Sequence, residues 1–247
     1  MRADLSGTTA LITGASSGIG AATARVMAGA GARVAIVGRD RDRLGALAAS
    51  LPGEPVALQA DLRDPEQAAA LADRAADALG VLDAVVHSAG IYEPEPLDAA
   101  ALETFERQWA VNVRAPWLTT RAALPHLRDG ATIVFVSSTV ARAGFAGCSA
   151  YSATKGAVAG MARALAVELA PRIRVNTIEP GFVATPMVTS QYAANGDLEP
   201  FLVSKTPVGF VGAAEDIAHG IAFACSSLSR YMTGSTLTVD GGWTAAA

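Results

Sequence analysis

The chain has 247 residues, of which 51% are hydrophobic and 17% charged, and its formal net charge is −4 at pH 7. This balance excludes a disordered chain, and the length allows one large domain. The negative charge and the lack of a dense Lys/Arg run argue against a nucleic acid or an anionic membrane surface as partner.

The first long charge-free stretch, Leu5 to Ala24, does not predict a segment that enters a membrane. Eleven of its twenty residues are Gly, Ser or Thr, a composition too polar for a transmembrane helix or a signal-peptide core. The cytoplasm is therefore the expected location. Cys148 and Cys225 form no closely spaced pair and the histidines show no ligand spacing, so we predict neither a disulfide framework nor a metal site.

Short aliphatic runs alternate with longer Ala-rich stretches along the chain, which predicts alternating strands and helices. Several runs are continuously apolar, as is typical of parallel strands covered on both faces. The pattern predicts an α/β fold, a doubly wound parallel sheet flanked by helices, in one domain over residues 1–247. The predicted strands are Thr9–Ile12, Arg33–Val37, Val56–Leu58, Leu82–Val86, Thr132–Val136, Arg174–Ile178 and Thr236–Val239.

A glycine-rich loop, Thr13 to Gly20, follows the first strand and opens the next helix. Glycines at such a place let the backbone approach a pyrophosphate whose charge lies at the helix N-terminus. Three residues separate Gly14 from Gly18, whereas the general dinucleotide fingerprint has one between its first two glycines. A glycine cluster also fits a tight turn, but its position between strand and helix predicts a dinucleotide site.

The end of the second strand bears on the choice of cofactor. An acidic residue there would bind the ribose hydroxyls of NAD and repel the 2′-phosphate of NADP. Gly38 stands at this position and Arg39 follows it, so glycine leaves room and arginine offers a bidentate fork. The alternative is an ordinary exposed arginine in a charged turn. We predict NADP, with NAD as the less favoured cofactor.

Tyr151 and Lys155 are four residues apart at the start of a predicted helix, which puts both on one face. The lysine is conspicuous because 17 of the 19 basic residues are arginine. An ammonium near a phenol lowers the phenol's pKa from about 10 towards the range useful in proton transfer. Ser138, at the end of the fifth strand, can hydrogen-bond a substrate carbonyl, although a serine there is often only part of a turn.

The longest irregular region covers about residues 181–214 and contains three prolines. It follows a late strand, at the edge where open α/β sheets bind ligands. Its apolar content favours a substrate lid with a helix over about Gln191–Lys205, rather than a disordered insertion. Because Lys205 is its only basic residue, nothing in it marks a carboxylate or phosphate clamp.

Together these motifs resemble the short-chain dehydrogenase/reductase family over essentially the whole chain. The matching elements, in order and at the family's spacing, are Thr13-Gly14-xxx-Gly18-Ile19-Gly20, Asp61-Leu62, Ala89-Gly90, Asn112, Ser138, Tyr151-xxx-Lys155, Pro180-Gly181 and Val239-Asp240-Gly241-Gly242. The resemblance implies a single Rossmann-type domain that uses NAD or NADP and often assembles as a homotetramer.

The resemblance also implies roles for individual residues. Tyr151 would be the general acid/base, Lys155 would lower its pKa and bind the nicotinamide ribose, and Ser138 would orient the carbonyl. Asn112 would hold a water that relays protons to Lys155, and Asp61 would meet the adenine. The predicted cofactor-binding residues are Gly14, Ser16, Ser17, Gly18, Ile19, Gly20, Gly38, Arg39, Asp61, Leu62, Ala89, Gly90, Tyr151, Lys155, Pro180, Gly181, Val183 and Thr185.

Two places depart from the family pattern. The usual Asn-Asn-Ala-Gly reads His87-Ser88-Ala89-Gly90 here, which leaves open the hydrogen bonds that the asparagine side chains make to the central sheet. Glu179 puts a carboxylate near the nicotinamide edge, where small or apolar residues are commoner, and the sequence does not decide its role.

The expected function is an NADP-dependent oxidoreductase that interconverts a small-molecule ketone and a secondary alcohol by hydride transfer. The main rival is a 3-oxoacyl-(acyl-carrier-protein) reductase, although such reductases often carry an arginine where Ser17 stands. A further alternative is a non-catalytic NADP(H)-binding regulator, which would not need Ser138, Tyr151 and Lys155 together. The physiological substrate and the stereochemistry do not follow from the sequence.

Overall fold

The computed structural model describes residues 3–192, 196 and 198–246. Its strands are β1 (Thr9–Thr13), β2 (Arg33–Gly38), β3 (Val56–Gln59), β4 (Leu82–His87), β5 (Leu127–Val136), β6 (Ile173–Pro180) and β7 (Thr236–Val239). Within the described residues, these seven strands form one parallel sheet in the order β3-β2-β1-β4-β5-β6-β7. The predicted doubly wound α/β fold is confirmed, and its strand order reverses between β1 and β4, where such sheets bind ligands.

Helices cover both faces of the sheet. They are α1 (Gly18–Gly29), α2 (Arg41–Ser50), α3 (Pro65–Ala69), α4 (Leu71–Leu79), α5 (Leu102–Trp109), α6 (Ala115–Ala123), α7 (Ser149–Glu168), α8 (Pro186–Tyr192), α9 (Leu198–Lys205), α10 (Ala214–Cys225) and α11 (Trp243–Ala246). A π-helical turn, Ala110–Arg114, joins α5 to α6, and 3₁₀ turns follow at Thr139–Ala141 and Ser227–Ser229. In the part of the chain that the structure describes, no helix combines the length and apolarity that a membrane crossing requires.

Two apolar cores, one on each face, hold the helices against the sheet. On one face, α1, α2 and α10 pack against side chains that include Ile12 and Ile36. On the other face, α4, α6 and α7 pack against side chains that include Leu11 and Phe135. Neighbouring strand residues point to opposite faces, so Leu11 and Ile12 belong to different cores. Because both faces are covered, several strands contain continuous apolar runs, which is the pattern that the sequence showed.

The fifth strand is longer than its aliphatic run predicted. β5 begins at Leu127, whereas the prediction began at Thr132. Leu127 pairs with Leu82, and the register shifts before Thr132 pairs with Ala84. The polar, exposed residues 128–130 lie between these two pairings, so apolar patterning did not mark this part of the strand.

The predicted lid, residues 181–214, includes α8 and α9 among its described residues. The predicted helix over Gln191–Lys205 is correct for α9, which ends at Lys205, but α8 begins earlier, at Pro186. Residues 193–195 and 197 of that predicted helix lie outside the described residues. A bridge between Val183 and Gly212 joins the two ends of the segment.

Candidate active site

Four loops meet at the carboxyl edge of the sheet. They follow β1, β4, β5 and β6 and begin at Gly14, Ser88, Ser137 and Gly181. The strands are parallel, so these loops lie at one edge although they are far apart in sequence. The predicted site residues lie on these loops, at the end of β2 and on the helices that follow.

The first loop leaves no space for side chains at two of its glycines. Gly14 has a φ of +72°, and a Cβ there would lie 2.6 Å from the Ala89 Cα. A Cβ on Gly20 would lie 2.3 Å from the Gly14 carbonyl oxygen. The Thr13 hydroxyl also accepts a hydrogen bond of 3.2 Å from the Ala89 N–H. The loop therefore packs directly on the loop that follows β4.

The N-terminus of α1 faces a groove that we call the glycine groove. Ser17 precedes the helix, and its side chain makes no capping hydrogen bond, so no side-chain cap competes with an anion for the N–H groups of the first turn. The groove brings together the predicted residues Gly14, Ser16, Ser17, Gly18, Ile19, Gly20, Gly38, Arg39, Asp61, Leu62, Ala89, Gly90 and Thr185. It is also lined by Ala60, Ser88, Ile91, Val111, Pro186 and Met187, which the sequence did not single out.

A polar recess opens beside the end of β2, and three arginines line it: Arg39, Arg43 and Arg63. We call it the arginine recess. Asp40 caps α2 by accepting the Arg43 N–H at 3.0 Å, and it also pairs with the Arg43 guanidinium. The Arg63 Nε donates to Asp61 at 2.9 Å, and this side-chain hydrogen bond lowers the pKa of Asp61. Within the described part of the chain, Arg39 forms no ion pair, which leaves its guanidinium available to an anion.

Ser16 fills the space next to Gly38. A Cβ on Gly38 would lie 2.9 Å from the Ser16 Cβ and 3.4 Å from the Leu44 side chain. An acidic side chain at position 38 therefore requires Ser16 to move or to be smaller. The sequence predicted room beside Gly38, and the structure shows that Ser16 limits this room on one side.

Helix α7 carries Tyr151 and Lys155 on one face, as predicted. The Lys155 Nζ lies 5.5 Å from the centroid of the Tyr151 ring and donates a hydrogen bond of 2.9 Å to the Val136 carbonyl. The Ser137 hydroxyl donates to the Lys155 carbonyl at 2.9 Å, which holds α7 against the end of β5. Ser138 lies beside Tyr151 on the lining of the same cavity and acts to lower the pKa of its phenol. The predicted trio of serine, tyrosine and lysine is thus brought together.

The electrostatics of Tyr151 differ from the expectation. Burial raises the pKa of its phenol, assisted by Cys148 and opposed in part by the hydrogen bond with Ser138. Burial also lowers the pKa of Lys155 to about 8, because desolvation disfavours the charged form of each group. The lysine is near the phenol, as predicted, but the expected lowering of the phenol's pKa is wrong here, because desolvation by burial is the largest influence and raises the pKa. The Tyr151 phenol is accordingly protonated at neutral pH.

Asn112 lies in the π-helical turn between α5 and α6, a kind of turn often found at functional sites. Its Nδ2 donates to the Ile91 carbonyl at 3.0 Å and to the Thr154 hydroxyl at 3.1 Å, and its Oδ1 accepts the Ile91 N–H at 2.9 Å. A Cβ on Gly90 would lie 3.4 Å from the Asn112 Oδ1 and 3.5 Å from the Lys155 Nζ. Asn112 therefore anchors the loop after β4 close to Lys155, and its role in a water relay stays a prediction.

His87 and Ser88 stand where the family usually has two asparagines. The His87 Nε2 is 2.8 Å from the Thr120 hydroxyl, and its ring stacks on Phe135 with centroids 4.7 Å apart. Burial lowers the pKa of His87 to about 3, so the ring is neutral. The His87 Nδ1 and the Ser88 Oγ are buried without a hydrogen-bond partner among the described residues. Those residues also contain no group of three His, Cys, Asp or Glu side chains placed to hold a metal ion.

Glu179 is buried and paired. It is 2% exposed, and its Oε2 accepts from the Arg142 Nε at 2.9 Å and from a second guanidinium nitrogen at 2.8 Å. Arg142 also donates to the Thr238 hydroxyl at 2.9 Å. The pair therefore joins the turn after Ser138 to β6 and β7.

A second cavity, the tyrosine pocket, contains Ser138, Tyr151 and Lys155 on its lining. The predicted residues Pro180, Gly181 and Val183 line it too. Apolar and aromatic side chains make up most of the remaining lining, including Tyr92, Val140, Phe145, Phe182, Val188, Leu198 and Leu202. The sequence did not single out Tyr92 and Phe145, and the signal that points to them is their position just beyond β4 and β5.

The tyrosine pocket and the glycine groove adjoin each other. Five residues line both cavities: Ile19, Ser88, Gly90, Thr185 and Met187. A molecule extended along the groove towards these residues therefore approaches the serine, tyrosine and lysine trio.

Known proteins resemble this chain over almost its whole length. A family model described as "Enoyl-(Acyl carrier protein) reductase" matches residues 14–244. The cis-4-hydroxycyclohexanecarboxylate dehydrogenase of Sinomonas cyclohexanicum is 37% identical over 242 residues, which cover 96% of this chain and 96% of that protein. A 3-oxoacyl-(acyl-carrier-protein) reductase of Rickettsia conorii is 34% identical over 242 residues, which cover 97% of this chain and 98% of that protein.

A solved structure also resembles this chain over almost its whole length. The crystal structure of a short-chain dehydrogenase from Burkholderia cenocepacia J2315 in complex with NADP matches with a TM-score of 0.92 and 38% identity, covering 97% of this chain and 99% of that chain. The fold and the site define an oxidoreductase built on a Rossmann-type sheet. The chain belongs to the short-chain dehydrogenase/reductase family.

Proposed function

We propose that the protein is an NADP(H)-dependent oxidoreductase that interconverts a ketone and a secondary alcohol. The position of the glycine groove next to the tyrosine pocket carries this proposal, because a dinucleotide lying along the groove would have its reactive end towards Tyr151. In this proposal residues 1–247 form one domain with residues 181–214 as the substrate lid. The substrate is a small molecule, and the chain assembles as a homotetramer.

The residues of the glycine groove fit a dinucleotide. Close packing at Gly14 and Gly20 brings the main chain to the groove, and the N-terminus of α1 suits a pyrophosphate. Asp61 and Leu62 would contact the adenine end, and Ala89 and Gly90 would line the path to the nicotinamide. Lys155 would bind the nicotinamide ribose, and Pro180, Gly181, Val183 and Thr185 would receive the nicotinamide amide.

The chain's own residues handle the carbonyl oxygen and its proton. When bound, the reduced nicotinamide would supply the hydride that the carbonyl carbon accepts. Tyr151 donates its proton to the carbonyl oxygen, so the ketone gains one hydride and one proton and leaves as the alcohol. Ser138 donates a hydrogen bond to the same oxygen and orients it. The Lys155 ammonium then stabilises the phenolate until a proton arrives from solvent, and alcohol oxidation runs through the same steps in reverse.

The arginine recess supports NADP over NAD. Arg39 stands beside Gly38 without an ion-pair partner among the described residues, so it can form charge-assisted hydrogen bonds with a 2′-phosphate. Asp40 is engaged in capping α2 and pairing with Arg43, so part of its capacity to accept hydrogen bonds from ribose hydroxyls is already used. The NADP complex of the Burkholderia relative supports the same choice.

A carrier-linked 3-oxoacyl reductase is the second candidate, favoured by the Rickettsia relative and by the description of the matched family model. The proton transfer at Tyr151 would be unchanged, but the ketone would arrive as a thioester on acyl carrier protein. The ratio of kcat/KM for that thioester to kcat/KM for free ketones separates the two candidates. Oxidation of NADPH that depends on either kind of ketone, free or carrier-bound, would exclude a non-catalytic regulator.

The test of the proposed function is a panel of free ketones assayed with NADPH and NADH. We expect ketone-dependent oxidation of NADPH, and we expect Tyr151→Phe to lower kcat by about a thousandfold because the proton donor is lost. The Kd for NADPH, measured by fluorescence titration, should change by less than about threefold since the phenol contributes little to holding the dinucleotide. Tyr231→Phe is the matched control because Tyr231 is fully exposed. Equal rates for Tyr151→Phe and the parent would contradict the assignment.

A further inference from the structure

The tyrosine pocket carries almost no charge on its described lining. Lys155 is the one charged side chain among those lining residues, and it is 5% exposed with its Nζ donating to the Val136 carbonyl. This ammonium lies at the Tyr151 end of the pocket. The lid side of the pocket, to which Val188 of α8 and Leu202 of α9 belong, offers no cation to a bound anion among its described lining residues.

The lid cannot supply the missing cation. Over residues 181–214 the sequence has one basic residue, Lys205, and two acidic residues, Asp197 and Glu199. The Lys205 Nζ lies 5.6 Å from the centroid of the exposed Phe201 ring, and Lys205 is not on the pocket lining. The lid residues outside the described part include no Lys or Arg, so they add no positive charge either.

Aromatic rings line the pocket around the reacting end. The Tyr92 ring meets the Tyr151 ring edge-on with centroids 4.9 Å apart, and the Tyr92 hydroxyl is 3.3 Å from the Cys148 Sγ. Phe145 meets Phe182 edge-on with centroids 6.3 Å apart. These rings present flat apolar faces and edges, which suit a cyclic substrate better than an open carbon chain.

The volume of the pocket limits the size of the substrate. Its volume is about 170 Å³, which is below the range of about 300–1,000 Å³ found for clefts that hold drug-sized ligands. A single ring with a small substituent is of the right order, whereas a large fused-ring molecule is not.

From these observations we propose that the pocket takes an uncharged, single-ring ketone or secondary alcohol and rejects substrates that carry a carboxylate or phosphate on the ring. The proposal rests on the proposed function and names the substrate class of the same site. An anion on the lid side of the pocket would lose its hydration and find no cation there. A neutral ring would instead bury its surface against apolar side chains.

The test compares two ketones that differ only at the substituent opposite the carbonyl, which is a neutral methyl ester in methyl 4-oxocyclohexanecarboxylate and an anion in 4-oxocyclohexanecarboxylate. Both carry the same ring and the same reacting carbonyl. We expect kcat/KM with NADPH to be at least about a hundredfold higher for the methyl ester, because the buried carboxylate is unpaired. Equal values for the ester and the acid would overturn the proposal.

A charge placed in the pocket should reverse this preference. Val188 lies on the pocket lining, so Val188→Arg should raise kcat/KM for the acid relative to the ester by about tenfold or more. Ser204→Arg is the matched control, because Ser204 is an exposed residue of α9 outside the lining, and it should leave the parental ratio unchanged. If both variants raised the ratio of kcat/KM for the acid to that for the ester equally, a general charge effect would explain the gain. That result would overturn the assignment of this preference to the pocket.

Cyclohexanone and hexan-2-one test the preference for a ring, since both have six carbons. We expect a higher kcat/KM for cyclohexanone, and a smaller preference in Phe145→Leu, which removes a ring but keeps the site apolar. A parental preference for hexan-2-one would overturn the ring part of the proposal. Failure to reduce any ketone, charged or neutral, would instead contradict the proposed function, so the two failures are distinguishable.

Discussion

Lys155 is a buried cation, and its surroundings change how the protein's stability depends on pH. Burial lowers the lysine's pKa from 10.5 to about 8. Between these two values the unfolded chain holds the proton and the folded chain has released it. The unfolded state then binds more protons, so the free energy of unfolding rises with pH across this window.

Replacing Lys155 by methionine, which is uncharged, isolates its effect on how the free energy of unfolding depends on pH. We expect the free energy of unfolding of the parent, relative to that of Lys155→Met, to rise by about 3 kcal/mol between pH 8 and pH 10.5. Chemical denaturation at several pH values and one protein concentration measures this difference. Tyr151 also has a shifted pKa, but it is present in both proteins and cancels. A difference that does not vary with pH would contradict the depressed pKa.

We expect the choice between NADP and NAD to depend on Gly38 and Arg39 at the end of β2 and on the neighbouring Ser16. We expect Ser16→Gly with Gly38→Asp and Arg39→Leu to shift the kcat/KM ratio from NADPH towards NADH by about a hundredfold, because two charge-assisted hydrogen bonds are lost and a ribose acceptor is gained. The double variant that keeps Ser16 is the comparison, and it should bind both cofactors poorly because the new side chain lies against Ser16. A parent that already prefers NADH would show that this interpretation of the strand end is wrong.

For individual residues, the sequence predicts the features that depend on local spacing along the chain. Tyr151 and Lys155 share a helix face because they are four residues apart. Ser138 follows β5 by two residues, so it lies at the carboxyl edge of the sheet where the site forms. The pKa of Tyr151 could not be predicted in this way, because burial by side chains from several elements determines it. Tyr92 was missed for a similar reason, since only the assembled pocket shows that its ring meets Tyr151.

Among the elements, the 3₁₀ turn after Ser138 is tied to β6 and β7 by the pair of Arg142 and Glu179. Arg142→Met would leave a buried carboxylate without a partner, and we expect a loss of about 3 kcal/mol in the free energy of unfolding. Arg43→Met is the matched control because Arg43 and Asp40 form an exposed pair, and that loss should be below about 1 kcal/mol. Equal losses in the two variants, measured by denaturation, would contradict the importance of burial.

The order of strands and helices could be predicted from apolar patterning, but some element boundaries could not. The first part of β5 is polar and exposed, and pairing of Leu127 with Leu82 extends the strand there. The π-helical turn at Ala110–Arg114 joins two helices without any break in composition. In the lid, α8 begins at Pro186, a residue that the sequence suggested only as a feature of an irregular segment.

At the scale of the whole molecule, large apolar side chains remain exposed on α5 and α6. Phe105, Trp109 and Trp117 are 39%, 39% and 46% exposed, and the first two stack with centroids 5.9 Å apart. An apolar surface of this kind is typical of a contact between protein chains. The predicted homotetramer would bury it.

Sedimentation velocity tests this prediction. We expect the parent to sediment as a species of four 25.1 kDa chains at micromolar concentration, and Phe105→Glu with Trp117→Glu to produce smaller species because charges at the contact are costly to bury. Val81→Glu is the control, since Val81 is 50% exposed and lies outside α5 and α6, directly before β4. A parent that sediments as a single chain would contradict the tetramer.

The arginine recess and the tyrosine pocket are built by different residues. None of the residues lining the arginine recess lines the tyrosine pocket in the described part of the chain. Changes at the end of β2 and changes at lid residues that line the tyrosine pocket alone, such as Val188, therefore act on separate contacts, and we expect their free energies to add. We accordingly expect cofactor preference and substrate range to be separable traits, so that each could be altered by selection or by engineering while the other is kept.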